Sequence, residues 1–266
     1  MTDSQFLLIL LSITLFSGIL KLYHHFADQT ISQQDQQDTW ISAIQQMFPV
    51  FLIQLFIFSF IVSPFKIPSG SMIPTLQIGD YILVKKYAYD INLPYFNITL
   101  FSTDKPKRGD VIVFKSTSAF AKMNNGTHED MIKRVVGLPG ETIRYEDKKI
   151  YVNDIAVDSH WISQGIDTTY ESALKGIYPY ETHKEKLGKH LLNIKSYPII
   201  KSINNTWVVP KGMYFVIGDN RDLSDDSRYW GCVPEGNIIG QAFYIWLNWV
   251  SFFNTWPTIK NNRLIE

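Results

Sequence analysis

The sequence predicts a mostly β protein: two N-terminal transmembrane helices followed by an antiparallel β-sheet domain with a smaller lobe inserted into it. Three observations carry this. Phe6 to Leu20 is almost uninterrupted apolar sequence, and Met47 to Val62 is a second such run broken only by Gln54. From about Pro64 the texture changes to short β-branched and aromatic runs punctuated by Gly, Pro, Asn and Asp, as in an all-β domain. Beyond that point no pattern alternates strands with long amphipathic helices, which argues against a parallel α/β sheet.

Each apolar run falls short of the roughly 20 residues needed to cross a hydrocarbon core. Spans at about 5–21 and 47–63 therefore have to borrow flanking residues such as Tyr23, Ile44 or Phe65. The competing reading is a buried core helix. The first run follows Met1, Thr2 and Asp3 with no basic side chain and precedes no small-residue cleavage site, so it reads as a retained anchor rather than a cleaved targeting segment. Two spans place both chain ends on one side of the membrane. The connecting stretch holds Lys21, His24 and His25 against Asp28, Asp35 and Asp38, a faint charge signal that favours a cytoplasmic loop only weakly. Its Gln33 to Gln37 tract reads as a flexible part of that loop. Residues 1–63 are thus the expected anchor and 64–266 an extracytoplasmic domain.

Within that domain, Tyr81 to Val84, Val111 to Phe114, Met131 to Val136, Thr142 to Tyr145, Ile150 to Val152, Trp207 to Val209 and Met213 to Ile217 are strand candidates. Pro139-Gly140 and Asn153-Asp154 mark turns between them. Between about 154 and 206 the chain is more polar, with a charge cluster from Glu181 to Lys189, and is expected to form the inserted lobe. The core is then about 64–153 and 207–266.

Composition narrows the function. Acidic and basic residues balance at 25 each, so no basic field draws the chain to nucleic acid. The single cysteine, Cys232, excludes an intramolecular disulfide and, between Gly231 and Val233, reads as a packed thiol. His128, His160, His183 and His190 have no metal-ligand spacing, and no G-x-S-x-G, H-E-x-x-H or Walker sequence occurs. Ser172-Ala173-Leu174-Lys175 matches S-x-x-K but lacks the K-T-G and S-D-N partners that would give it meaning.

The densest chemical signal is Ile67-Pro68-Ser69-Gly70-Ser71-Met72-Ile73-Pro74, directly after the second span. Two prolines fix φ and Gly70 permits angles other residues avoid, so the loop can hold one hydroxyl rigidly. Alone, a Ser-Gly-Ser loop is usually only a turn. In the strand Met131 to Val136, Lys133 shares its face with Met131 and Val135 while Arg134 points the other way. Burial disfavours an ammonium, and bringing a lysine pKa from about 10.4 to near 7 takes roughly 4 to 5 kcal/mol. A lysine so desolvated can act as general base to a serine. The competing reading is a lysine whose stem packs while its head reaches water, which periodicity alone favours. In Gly218-Asp219-Asn220-Arg221-Asp222-Leu223-Ser224-Asp225-Asp226-Ser227-Arg228, carboxylates alternate with arginines, as in a solvated turn or a loop locked by bidentate pairs.

In order, these three segments resemble the serine, lysine and glycine-aspartate-asparagine-arginine boxes of bacterial type I signal peptidases. Gly79 to Tyr87, Arg108 to Phe114 and Trp256-Pro257-Thr258 are similar to further family segments, so the resemblance spans most of the chain. It implies a Ser/Lys serine endopeptidase that removes signal peptides through an acyl-enzyme. Ser71 would be the nucleophile, Lys133 its base and Ser69 a side-chain donor to the oxyanion. Ser224 would orient Lys133, with Asp226 and Arg228 as a supporting pair. Phe65, Ile67 and Ile132 would shape shallow apolar pockets admitting small residues, typically alanine, at the first and third positions before the cut. No metal or cofactor is implied. The expected partners are signal peptides of exported preproteins and the lipid bilayer, with the chain monomeric. Its expected place is the bacterial inner membrane, catalytic domain on the periplasmic side.

Two other readings compete. One is a membrane-tethered β-domain that binds exported peptides without cutting, against which the presence of both Ser71 and Lys133 argues. The other is a relative using the same pair for a narrow task, such as maturing one pilus protein. Self-cleavage as in SOS-response repressors lacks support, because two spans stand where a DNA-binding domain would be. Finally, Ala242 to Phe253 carries Phe243, Tyr244, Trp246, Trp249, Phe252 and Phe253. A core strand is the simpler account and partial lipid contact the alternative.

Overall fold

The structure, a computed structural model, describes residues 3–27, 39–93, 98–167, 178–250, 256–259 and 262–265. The Gln33 to Gln37 tract, Ser172 to Lys175, Phe252 and Phe253 lie outside these residues.

The N-terminal helix α1 runs Asp3–Ala27, and a second helical stretch comprises α2 (Thr39–Gln46), α3 (Phe48–Phe56) and a π-helical turn, Ile57–Ile61. Two 22-residue segments, Gln5–Phe26 and Trp40–Ile61, are long and apolar enough to cross a membrane. Tyr23 and Ile44 are the flanking residues they recruit, whereas Phe65 has already entered a strand, so the second segment begins and ends earlier than the expected 47–63. Leu8, Ile9, Phe16, Ile53 and Phe56 are exposed, so neither segment is a buried core helix. The two pack through α1 and α3. At Gly18 a Cβ would stand 2.8 Å from the Phe48 ring, so glycine is what lets the helices close.

The β strands are β1 (Val62–Lys66), β2 (Asp80–Lys85), β3 (Asp90–Leu93), β4 (Ile98–Ser102) and β5 (Val111–Lys115). A short helix α4 (Ser118–Met123) precedes β6 (Asp130–Gly137), β7 (Thr142–Glu146), β8 (Lys149–Val152), β9 (Ile155–Ala156), β10 (Ser159–Asp167), β11 (Tyr178–Leu187), β12 (His190–Ser196), β13 (Asn205–Val208) and β14 (Met213–Ile217). Helix α5 (Ser227–Trp230), β15 (Val233–Pro234), β16 (Ile238–Asn248) and β17 (Arg263–Leu264) complete the chain. Every strand candidate named from the sequence falls in these strands or within one residue of them.

The main sheet has order β1-β2-β16-β5-β6-β14-β15, with β17 added to β16, and its strand pairings are antiparallel. Its centre is buried on both faces. Val111 and Val113 of β5 join one apolar cluster with Ile82, Val84 and Ile245, while Ile112 and Phe114 join another with Val135, Tyr214 and Trp230. That is why Val111 to Phe114 reads as a continuous apolar run, whereas β2 alternates buried and half-buried residues. A third cluster, including Val136, Ile143, Phe215 and Leu192, joins the main sheet to the smaller ones, and Cys232 packs against it.

The smaller sheets are β13-β7-β8-β9, β10-β11-β12 and the β3-β4 hairpin. Asp147-Lys148 and Asn153-Asp154, all at positive φ, make the two tight turns of β7-β8-β9. The three-stranded unit therefore spans Ser159–Ser196, less than the expected 154–206, because Ile155–Ala156 and Asn205–Val208 pair into the β7-β8 sheet instead.

Candidate active site

Strand β1 ends at Lys66, and the loop to β2 is folded by its own backbone and by two deeply packed side chains. Ile67 and Asp80 pair at its base (N–H to O, 2.8 Å), and Met72 and Leu76, fully buried, pin its middle into the core. This presents Ser71, 8% exposed, on the wall of a cavity of about 650 Å³. Lys133 reaches the same cavity from the centre of β6, where it sits opposite Ile112 of β5. Its Nζ lies 2.6 Å from Ser71 Oγ, and the side chain is 4% exposed. Burial lowers its pKa to about 8, against the pull of Asp226, Asp225 and Asp219, which raise it. The lysine head does not reach bulk water, so the snorkelling alternative is not what this structure contains.

Strand alternation separates Lys133 from Arg134. Arg134 turns to the other face and meets Asp219 in a two-pronged pair, Nε to Oδ1 2.8 Å and Nη2 to Oδ2 2.7 Å, with both side chains 1% exposed. It also donates to Gly109 O at 2.6 Å, and Thr75 donates to Asp219. The Gly218 to Arg228 loop is thereby tied to β6 and to the Ser71 loop at once.

The rest of that loop is a buried charge cluster. Asp226, fully buried, accepts from Ser224 Oγ (2.8 Å), the Gly218 N–H (3.0 Å) and Arg228 (Nε 2.8 Å, Nη2 2.9 Å). Ser224 donates to Asp226, and among the described residues no hydrogen bond joins it to Lys133. Gly218 is required here because a Cβ would stand 2.3 Å from Ser224 Oγ and 2.5 Å from Ser71 O.

Ser69 is exposed and lines the same cavity. Phe65, Ile67 and Ile132 do not line it. Ile67 and Ile132 are members of a core cluster against which Phe65 packs. Ile132 follows from strand geometry, since the residue before Lys133 points to the opposite face. The apolar part of the cavity wall is instead Pro68, Ile73, Ile78, Phe120, Met131 and Leu223. Among the described residues no group of three or more His, Cys, Asp or Glu is arranged to hold a metal.

Some participants carry no local sequence mark. Asp167 and Tyr197 come from the three-stranded lobe to the cavity wall, where Tyr197 Oη and Lys195 Nζ both donate to Asp167 Oδ2, at 2.7 and 2.6 Å. Glu185 of β11 pairs with Arg221, Oε2 to Nη1 2.7 Å, both 2% exposed. The lobe is therefore bolted to the site, yet Glu185 sits in the charged Glu181 to Lys189 stretch with nothing to distinguish it. Asn220 lies within the Gly218 to Arg228 segment, where nothing in the local sequence sets it apart from its neighbours.

A family model described as "Signal peptidase, peptidase S26" matches residues 40–249. The chain is 36% identical over 277 residues to a signal peptidase I of Buchnera aphidicola subsp. Acyrthosiphon pisum, covering 91% of this chain and 86% of that one. To the signal peptidase I of Pseudomonas aeruginosa it is 41% identical over 218 residues, covering 77% and 72%. To that of Haemophilus influenzae it is 32% identical over 314 residues, covering 96% and 89%. A crystal structure of a signal peptidase I from Enterococcus faecalis aligns with 53% of this chain and 98% of that one at 28% identity, with a TM-score of 0.29, too low to argue the fold from. The fold rests on the antiparallel strands described above, and the family model together with relatives matched over most of their own length settles the kinship: the chain belongs to the signal peptidase family, peptidase S26, whose function is the cleavage of signal peptides.

Proposed function

We propose that the chain performs this cleavage as a Ser/Lys endopeptidase, with Ser71 as nucleophile and Lys133 as general base. The observation that carries the reading is the 2.6 Å approach of Lys133 Nζ to Ser71 Oγ inside a buried site. An amine with a pKa near 8 is neutral in a usable fraction of molecules at neutral pH and can take the serine proton.

The steps follow. Lys133 accepts the Ser71 hydroxyl proton as Oγ attacks the scissile carbonyl carbon, and the carbonyl oxygen becomes an oxyanion. The Ser71 N–H and the Ser69 hydroxyl donate to it. Lys133, now an ammonium, passes the proton to the leaving nitrogen, the C–N bond breaks, and the mature protein departs with a free amine. Water, activated by the again-neutral lysine, then attacks the ester, and the signal peptide leaves as a carboxylic acid. Asp226 and Arg228, linked to Ser224 and Gly218, hold the loop beside the lysine.

The substrate is taken as an extended strand after small residues of the Ala-x-Ala type. β1 is an edge strand that runs into the Ser71 loop, which suits pairing with a peptide backbone more than with a particular sequence. Phe65 of that strand, Ile67 at the start of the loop and Ile132 of β6 share one apolar cluster, which would bound the pockets for small side chains once a peptide pairs with β1. The two apolar helices and the family make the chain membrane-anchored. We place it in the bacterial inner membrane, monomeric, with residues 64–266 in the periplasm and the Ser159–Ser196 unit as an inserted lobe. Trp246 of β16 and Trp256 are exposed, as expected of residues meeting the lipid interface.

The test is to incubate the purified chain and its Ser71→Ala variant with a preprotein and map the products by mass spectrometry. One cut after a small-x-small sequence, made by the wild type and absent with the variant, is expected. Cutting by Ser71→Ala, or a cut not preceded by small residues, rejects the reading.

A further inference from the structure

Besides Asp219, which accepts from Thr75, the Gly218 to Arg228 loop holds the Ser71 loop through Asn220. Asn220, 3% exposed and on the wall of the cavity, donates its Nδ2 to Gly70 O at 3.0 Å, and its backbone N–H donates to Ser71 O at 3.0 Å. A carbonyl oxygen can only accept, so the NH₂ end of the amide must face Gly70. This leaves Oδ1 buried with no partner among the described residues. An unpaired buried acceptor is unfavourable to folding, so stability alone does not explain an asparagine here.

The Gly70 carbonyl and the Ser71 N–H are two ends of one planar peptide unit and point in opposite directions. Among the described residues the Ser71 N–H has no acceptor, whereas Gly70 O is held from two sides, by Asn220 Nδ2 and by the Ile73 N–H at 3.1 Å. Fixing the oxygen end fixes the direction of the N–H. Donation to the oxygen also draws electron density from the nitrogen and makes the N–H a stronger donor. Asn220 is itself held in place, because the main chain of Lys195 in the three-stranded lobe pairs with Asp219 and Asn220.

We infer that Asn220 is a positioning residue for the oxyanion hole: its side-chain amide orients and polarises the Gly70–Ser71 peptide so that the Ser71 N–H meets the developing charge. Asn220 touches no reacting atom and works through that peptide. The inference rests on the reading of Ser71 as nucleophile and of its N–H as oxyanion donor.

The test uses the full chain in detergent with a preprotein, comparing Asn220→Ala, Asn220→Asp and Ser71→Ala, with selective ¹⁵N-serine labelling. Losing an oxyanion donor outright lowers rate by about 100- to 1000-fold, and loosening one should cost less. A fall in kcat of roughly 10- to 100-fold is expected for both Asn220 variants, with KM within about threefold, the pH midpoint of kcat/KM unchanged in Asn220→Ala, and the Ser71 amide ¹⁵N resonance displaced. Asn220→Asp keeps the shape and the backbone bonds but presents an oxygen to Gly70 O, so it reports even if the alanine variant folds poorly. Wild-type kcat in a folded Asn220→Asp, or a loss confined to KM, overturns the inference. So does an unmoved Ser71 resonance. If Ser71→Ala is inactive while the Asn220 variants match wild type, only this inference fails, whereas an active Ser71→Ala removes the reading beneath it.

Discussion

The buried lysine makes a quantitative demand on the pH dependence of the reaction. If the neutral amine of Lys133 is the base, kcat/KM must follow its fraction, which falls tenfold for each pH unit below the pKa. Burial brings that pKa to about 8. At pH 6 about 1% of molecules would carry the neutral amine, so kcat/KM there should be roughly 100-fold below its alkaline plateau, and at pH 7 about tenfold below. The midpoint can be moved without touching the dyad. Asp225 is exposed, lines the cavity and raises the lysine pKa, so Asp225→Asn should shift the midpoint to lower pH. The assay is initial-rate cleavage of one preprotein at fixed ionic strength from pH 5.5 to 10, with the fraction of folded enzyme checked at each point. A flat profile between pH 6 and 9, or a midpoint near that of free lysine, would refute the reasoning. So would a midpoint that rises in Asp225→Asn.

Other consequences are equally concrete. Ser69→Ala removes one oxyanion donor and should lower kcat about 100- to 1000-fold while leaving KM nearly unchanged, read by steady-state kinetics. Gly218→Ala forces a Cβ to 2.3 Å from Ser224 Oγ and 2.5 Å from Ser71 O, and should cut kcat by at least about tenfold in a chain that still folds, checked by circular dichroism beside the rate. Lys133→Met should abolish cleavage and stabilise the fold. A lysine pKa lowered from 10.5 to about 8 represents about 3 kcal/mol against the folded state. That penalty is fully present below about pH 8 and vanishes as the unfolded lysine also loses its proton near 10.5, so the advantage of Lys133→Met in denaturant unfolding should shrink across that window. Glu185→Ala leaves Arg221 buried without its carboxylate and should destabilise the chain by about 3 to 5 kcal/mol, measured by the same unfolding assay.

How far the molecule could be read from its sequence depended on the range of the interactions. Strand β5 and the strand carrying Lys133 were visible because period and residue type are local signals, and alternation alone assigned Lys133 and Arg134 to opposite faces. The helix ends were less visible, because apolar runs understate spans that recruit residues such as Trp40 and Ile44. The order of the serine, lysine and glycine-aspartate-asparagine-arginine segments exposed the kinship, yet not the wiring inside it. The Ser224 hydroxyl goes to Asp226 because that carboxylate lies two residues away, where it also accepts from Gly218 and Arg228. Glu185 was illegible: its partner Arg221 lies 36 residues further along the chain, and its neighbours in sequence are charged too. Asn220 was legible as a letter in a motif and opaque as a function, since its meaning lies in a bond across 150 residues to Gly70.

The central claim, that Ser71 becomes acylated with Lys133 as its base, is tested most directly by trapping the intermediate. The chain is mixed with a preprotein, quenched in acid within the first turnover and digested, and the peptide containing residue 71 is weighed. The account predicts a signal-peptide adduct on Ser71 in the wild type and none above background in Lys133→Met, although that variant is folded and still binds substrate. An adduct on another residue, or full acylation of Ser71 without Lys133, would contradict it.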